Sequence, residues 1–287
     1  MRKVLFPAIA VLLFAVSAEA RHSHYLAAVA ESEWTVDTSR LICSLEHSIP
    51  YFGEASFSCE AGGRLSLEIR TFLELDRQGI ARIFSIYPDW NNNPEKREMG
   101  TIHVYSGKVP FRFDTSLARL FLDELEQGMS PTITLPDTEK DIRHISVSLS
   151  PVKFMGPYAE FLDCLKCLIS YGFSQLNGSS VFFDTNSNSL KPHALQHLDR
   201  LADYMKAAQG SILTISGHTD NTGTGKHNLG LSKRRAEAVR DYLMDNGLSG
   251  ERIKNEFFGD TRPYVPNVTP QGRSKNRRVT LKISRNH

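Results

Sequence analysis

A carboxylate and an arginine held at a fixed separation form a receptor for a zwitterion. The acid takes the ammonium, and the planar guanidinium fork takes the carboxylate through two parallel hydrogen bonds. The sequence offers such a pair in Asp220, which closes Ser216-Gly217-His218-Thr219-Asp220 at the end of an apolar strand, and Arg235, fifteen residues later on a helix. Asn228 precedes Arg235 by seven residues, so both share one helix face if the helix has begun by then. The start of that helix would add unpaired N–H groups and a positive dipole end for the ligand's carboxylate. Taken singly, the two charges have a plainer reading: Asp220 caps a turn and Arg235 pairs with Glu237 on the surface, the common fate of exposed charges.

Catalytic arrangements are poorer. Ser216, His218 and Asp220 stand within five residues on one strand end, where they do not converge on a nucleophile, and no Gly-x-Ser-x-Gly elbow is present. Gly223-x-Gly225-Lys226 lacks the spacing of a phosphate loop and reads as a turn. His22 and His24 offer at most an incidental copper or nickel position. We therefore expect no catalytic residue, no cofactor and no resident metal.

The pair must be positioned by its neighbours. Ser180 to Phe183 reads as a short strand, and Ser189-Leu190-Lys191-Pro192 opens a helix whose apolar face is Leu195, Leu198, Leu201, Ala202 and Met205. Ile212 to Ile215 is the next strand. A second helix runs to about Asn246 with Leu231, Ala236, Val239 and Leu243 inward, and Gly247 closes it. Strands follow around Arg252–Phe258 and Arg278–Ile283. Helices separated by strands predict an α/β sandwich over residues 173–287, with a linker near Gly172–Gly178.

Residues 21–172 read differently. Short β-rich runs occur at Trp34–Val36, Ile42–His47, Ala55–Cys59, Leu65–Leu73, Ala81–Ile86, Thr101–Tyr105, Phe111–Phe113, Thr132–Leu135 and Ile145–Leu149. Two helical stripes interrupt them, one on Leu117, Leu120, Phe121 and Leu125 and one within Tyr158–Ile169. Asp89–Gly100 is polar and turn-rich, and reads as an exposed hairpin loop. The expectation is a β-barrel-like domain with two helices, making the whole chain α+β.

Composition excludes several classes. The 287 residues are 40% hydrophobic and 23% charged, as in ordinary folded proteins, and the net charge of +2 carries no nucleic-acid footprint. That total hides a division: residues 21–169 hold 15 basic and 21 acidic side chains, whereas 170–287 hold 17 basic and 10 acidic. Two domains with different partners are implied, the basic one suited to an anionic envelope polymer. Arg2 and Lys3, the apolar run Val4–Val16 and Ala18-Glu19-Ala20 read as a cleaved signal peptide over 1–20. No later segment is apolar enough to span a membrane, so the mature chain is expected outside the cytoplasm with no transmembrane segment. Its four cysteines, Cys43, Cys59, Cys164 and Cys167, then favour disulfides over zinc or redox chemistry. Three connectivities are open. Cys164 and Cys167 share a helix face, so both are expected to reach outward to the strands carrying Cys43 and Cys59.

Several motifs occur in order through the C-terminal part: Phe182-Phe183-Asp184, Gly217-His218-Thr219-Asp220, Asn228-x-x-Leu231-Ser232-x-x-Arg235-Ala236-x-x-Val239, Gly259, and Gly272-Arg273-x-x-Asn276-Arg277-Arg278-Val279. Together they resemble the OmpA-like peptidoglycan-binding domain. The resemblance implies that Asp220 and Arg235 hold the free end of diaminopimelate in a stem peptide, with Thr219 and Asn228 at supporting positions and one of Arg277 and Arg278 assisting. In the front half, Cys43-Ser-Leu-Glu-His47-x-Ile49-Pro50-x-Phe52-Gly53-x-Ala55-x-Phe57-Ser58 and Phe161-x-Asp163-Cys164, with Leu168 and Tyr171-x-Phe173, resemble the MotY family of periplasmic flagellar-motor proteins. That likeness implies a periplasmic ring component around the flagellar basal body, which works with a MotX-like partner and helps hold the stator units. Another envelope adaptor with the same anchor is the alternative. The family's cysteine pair maps onto Cys43 and Cys164, which leaves Cys59–Cys167 as the expected second disulfide.

Overall fold

The computed structural model describes residues 23–76, 78–87, 96–135 and 144–285. The expected leader at 1–20, His22 and most of the Asp89–Gly100 segment lie outside the described residues. In the first half the chain forms β1 (Ser23–Tyr25), β2 (Trp34–Thr38), β3 (Ile42–Ile49), β4 (Gly53–Glu60), β5 (Ser66–Thr71), β6 (Gly79–Ile86), β7 (Arg97–Val104) and β8 (Phe111–Phe113). Helix α1 (Thr115–Glu126), β9 (Ser130–Thr134), β10 (Ile145–Ser148) and α2 (Met155–Cys167) complete it.

Alternation drives these strands. In β4, Gly53, Ala55 and Phe57 are buried while Glu54 between the first two is exposed and Ser56 between the last two is half-buried, the period of two that one buried sheet face demands. The strands divide into two five-stranded sheets, β1-β10-β9-β6-β7 and β2-β3-β4-β5-β8, whose inner faces share one apolar core. No closed barrel forms among the described residues, so the barrel-like expectation resolves into two sheets. The segment read as a long loop is also shorter: Arg97–Gly100 belongs to β7, which pairs with β6 across a register shift at Ile83/Phe84. Strand β1 escaped the sequence reading because three residues carry no period. It adds to β10 in parallel, a partner more than a hundred residues away.

Helix α2 packs against β2 and β3, and Cys164 on its buried face is bonded to Cys43. The expected Cys59–Cys167 disulfide is absent: Cys59 and Cys167 are free thiols. Cys167 is the last residue of α2 and lies beside Thr38–Arg40, before β3. Cys59 sits on β4, directly across β3 from that side, opposite Cys43. Only one of two cysteines a turn apart can occupy the place above Cys43, and the other is carried to the wrong flank of the strand.

The second half comprises α3 (Phe173–Leu176), β11 (Ser179–Phe182), α4 (Pro192–Ala207), β12 (Ser211–Gly217), α5 (Gly225–Asp245), β13 (Ile253–Phe257), α6 (Pro270–Asn276) and β14 (Arg278–Arg285). Its sheet runs β11-β14-β12-β13, with β12 and β13 parallel and the other pairs antiparallel. The expected inward stripe of α5 is buried throughout, and of the α4 set Leu198, Leu201, Ala202 and Met205 are buried. They pack with Leu213, Ile215, Val279 and Leu281 of the sheet into a separate core. Gly247, with φ +89°, reverses the chain after α5, as a left-handed C-terminal glycine does.

Candidate functional site

The site is built where β12 ends and α5 begins. Gly217 closes the strand because a side chain does not fit: a Cβ there would stand 2.2 Å from the Ser232 carbonyl of α5. This close approach lets the next residues run under the helix start. Their backbone is fixed by His218 N–H donating to Arg278 O at 2.9 Å and Thr219 N–H to Gly259 O at 2.8 Å. Asp220 follows, 4% exposed. Its Oδ1 accepts from Thr222 N–H at 3.1 Å, and its Oδ2 accepts from Arg277 Nη1 at 2.9 Å.

Arg235 is fully buried and is not a free fork. Its Nε donates to Ser187 O at 2.7 Å, Nη1 to His218 O at 3.0 Å and Nη2 to Asp184 O at 2.9 Å. The guanidinium lies 5.2 Å from the Phe183 ring centroid. Three of its five N–H donors are thus spent on backbone carbonyls, and two remain. Its direct ion-pair role falls to Arg277, which also bonds Phe183 O through Nε at 3.1 Å.

These groups line a cavity of about 260 Å³. Thr219, Asp220, Thr222 and Gly223 come from the turn after β12, and His227, Asn228, Leu231 and Arg235 from the first turns of α5. Arg277 forms a further wall. Thr185 and Asn186 of the β11–α4 loop complete the lining. Asn228 and Arg235 do share the buried face of α5, despite Gly230 between them. Thr219 Oγ1 and Asn228 Nδ2 are buried without a hydrogen-bond partner, although such groups are ordinarily satisfied. Arg278 is not brought to the site; its side chain turns toward Tyr264 and Arg262. Arg277 caps the end of α6 and Arg278 opens β14, and their side chains go to different partners, Asp220 for Arg277 and the Arg262 carbonyl for Arg278.

The electrostatics suit a zwitterion. Burial pushes the Asp220 carboxyl upward, but the Arg277 hydrogen bond, the Thr222 donors and the Arg277 charge outweigh it and hold the group below its ordinary value. Burial lowers Arg235 to about 10, with Asp220 opposing and Arg277 and Arg234 adding to the fall. Asp220 and Arg235 are therefore both ionised at neutral pH. Asp220 keeps lone pairs free for an ammonium, and Arg235 keeps two donors free for a carboxylate.

The loop residues Thr185 and Asn186 were not singled out from the sequence. The available signal was position, since they directly follow the Phe182-Phe183-Asp184 motif; in the structure Asn186 adopts a left-handed φ of 53°. Asn186 Oδ1 meets His227 Nε2 at 3.0 Å, closing the rim between loop and helix.

The MotY N-terminal domain family matches residues 25–169, and the OmpA family matches residues 182–277. The sodium-type flagellar protein MotY of Vibrio parahaemolyticus is 30% identical over 282 residues, 96% of this chain and 94% of that one. The chain belongs to the MotY family. Its OmpA-family part is also similar to the peptidoglycan-binding protein ArfA of Mycobacterium tuberculosis, 39% identical over 129 residues, which are 45% of this MotY-family chain and 37% of ArfA. A solved structure of the peptidoglycan-associated lipoprotein from Burkholderia pseudomallei is 31% identical, covering 37% of this chain and 89% of that one with a TM-score of 0.36. Among the described residues of this MotY-family member, no helix is long and apolar enough to cross a membrane.

Proposed function

We propose that this MotY-family chain is a periplasmic component of the flagellar motor, part of a ring around the basal body, that fastens the ring to peptidoglycan and helps hold the stator units. Residues 1–20 serve as the leader, 21–172 as the adaptor that docks on the basal body and a MotX-like partner, and 173–287 as the wall anchor. The chain binds and carries load without catalysing a reaction. Its ligand is the free end of diaminopimelate in a stem peptide: Asp220 receives the ammonium, Arg235 receives the carboxylate with its two remaining donors, and Thr219 and Asn228 bond whichever polar atoms lie between. Arg277 holds the Asp220 carboxylate in place. One observation carries this reading: opposite buried charges and two unpartnered polar atoms, Thr219 Oγ1 and Asn228 Nδ2, line a single small cavity. Its family membership over nearly the whole length supports the motor context.

The mature protein should sediment with purified sacculi, and Asp220→Ala should reduce retention about tenfold or more with an unchanged circular dichroism spectrum. Full retention by the variant would move the ligand site elsewhere. A deletion strain should assemble flagella but swim poorly. Normal swimming would leave only a general envelope adaptor, and release of soluble muropeptides by the purified protein would replace the anchor with a hydrolase.

A further inference from the structure

Arg278, excluded from the pocket, has a neighbourhood of its own. It is 8% exposed, and its Nη1 is buried with no partner. Its Nη2 reaches Arg262 O at 3.4 Å, and the guanidinium lies 5.5 Å from the Tyr264 ring centroid. His218, 4% exposed, also has an unpartnered buried atom, Nδ1. Its ring stacks on Phe258 with centroids 5.4 Å apart, and Arg262 lies 3.8 Å from the centroid of that same Phe258 ring. Burial, then Arg278 and Arg262, lower His218 to about 4, so it is neutral at physiological pH. Among the described residues no carboxylate forms an ion pair with Arg262 or Arg278.

A buried guanidinium is ordinarily paired, because leaving the charge alone is strongly destabilising, and orphaned buried donors are costly too. Arg278 and Arg262 both lie close enough to the neutral His218 ring to act on it electrostatically, and with no carboxylate ion-paired to either they have the charge and donors of an oxyanion receptor. We propose that Arg278, Arg262 and His218 form an oxyanion subsite, distinct from the Asp220 pocket, that receives a carboxylate or phosphate group through Arg278 Nη1, the Arg262 guanidinium and the His218 Nδ1–H tautomer. His218–Thr219 and Arg277–Arg278 are adjacent pairs, each with one member in either site. An envelope polymer seated in the pocket would therefore bring a neighbouring anionic group within reach. Only this identification of the anion's source rests on the wall-binding reading.

The test uses the mature chain labelled with nitrogen-15 histidine, titrated with inorganic phosphate and separately with acetate at neutral pH and constant ionic strength. The His218 ring signals should shift saturably with at least one of them. The midpoint should rise about tenfold in Arg262→Ala, an exposed side chain whose loss leaves the core intact, and the shift should vanish in Arg278→Lys. A response to acetate identifies a carboxylate as the natural group, and a response to phosphate alone identifies a phosphorylated polymer. A linear, unsaturable response, or equal midpoints in wild type and Arg262→Ala, overturns the subsite. Free meso-diaminopimelate, titrated in parallel, reports on the pocket: Asp220→Ala should abolish that response while leaving the anion response unchanged. Failure of either reading is thereby separated from failure of the other.

Discussion

Arg235 is the largest of the fully buried side chains, and its dual employment decides how its substitution behaves. It ties the β11–α4 loop, through Asp184 O and Ser187 O, to the end of β12, through His218 O. Arg235→Ala strands three carbonyls as well as removing a ligand donor, so it should lower unfolding stability by about 3 kcal/mol or more, read from urea unfolding of the mature chain. A loss of under about 1 kcal/mol would show that water replaces those bonds readily. Asp220 should separate ligand from fold more cleanly. Its pKa is lowered in the folded state, so its contribution is present above the unfolded value and is lost as pH falls through the depressed one. Sacculus binding should therefore persist at pH 5 and fall only below the ordinary aspartate value of about 3.9. Loss of binding near pH 5 would mean that Asp220 is not the titrating group.

At the scale of elements, the pocket depends on how closely α5 rides over β12. Gly217 sets that distance, since a Cβ would overlap the Ser232 carbonyl at 2.2 Å, and the clash is with backbone rather than a movable side-chain tip. Gly217→Ala should cost about 2–3 kcal/mol and displace the α5 start that carries Asn228 and Arg235, so sacculus binding should fall with stability in the same variant. Unchanged binding would mean that helix and strand separate without disturbing the cavity. Gly259, with φ 53°, is the companion constraint; its N–H donates to Ser232 Oγ at 3.0 Å, holding the loop after β13 against the same helix.

For the molecule as a whole, the two cores meet through a fastened connection. Ile169 N–H donates to Arg40 O at 3.1 Å and Gly62 N–H to Ile169 O at 3.0 Å, while Leu41, Tyr171 and Phe173 pack on the C-terminal core. At Gly172 a Cβ would stand 2.1 Å from Ala61 O. A load borne by the anchor would pass through these contacts into the first-half sheets, where the Cys43–Cys164 disulfide joins α2 to β3. Alkylation of the mature chain, unfolded without reductant, should label two thiols, Cys59 and Cys167. Zero labelled thiols would restore the second disulfide expected from the sequence.

Most strands and both long C-terminal helices were legible because their signal is local: apolar residues two apart in strands, three or four apart in helices, with Gly247 to end α5. Asp220 and Arg235 stood out only as members of ordered motifs that resemble a known domain, because singly each reads as an ordinary surface charge; the structure places both on one cavity. Tertiary structure alone decided that Arg277 rather than Arg278 faces Asp220, that Arg235 spends three donors on the backbone, that β1 pairs with β10, and that Cys167 misses Cys59. Each of these depends on the direction in which a side chain leaves its element and on what another segment, distant in sequence, places in its path. Periodicity records which face of an element is buried, but not which distant group it meets.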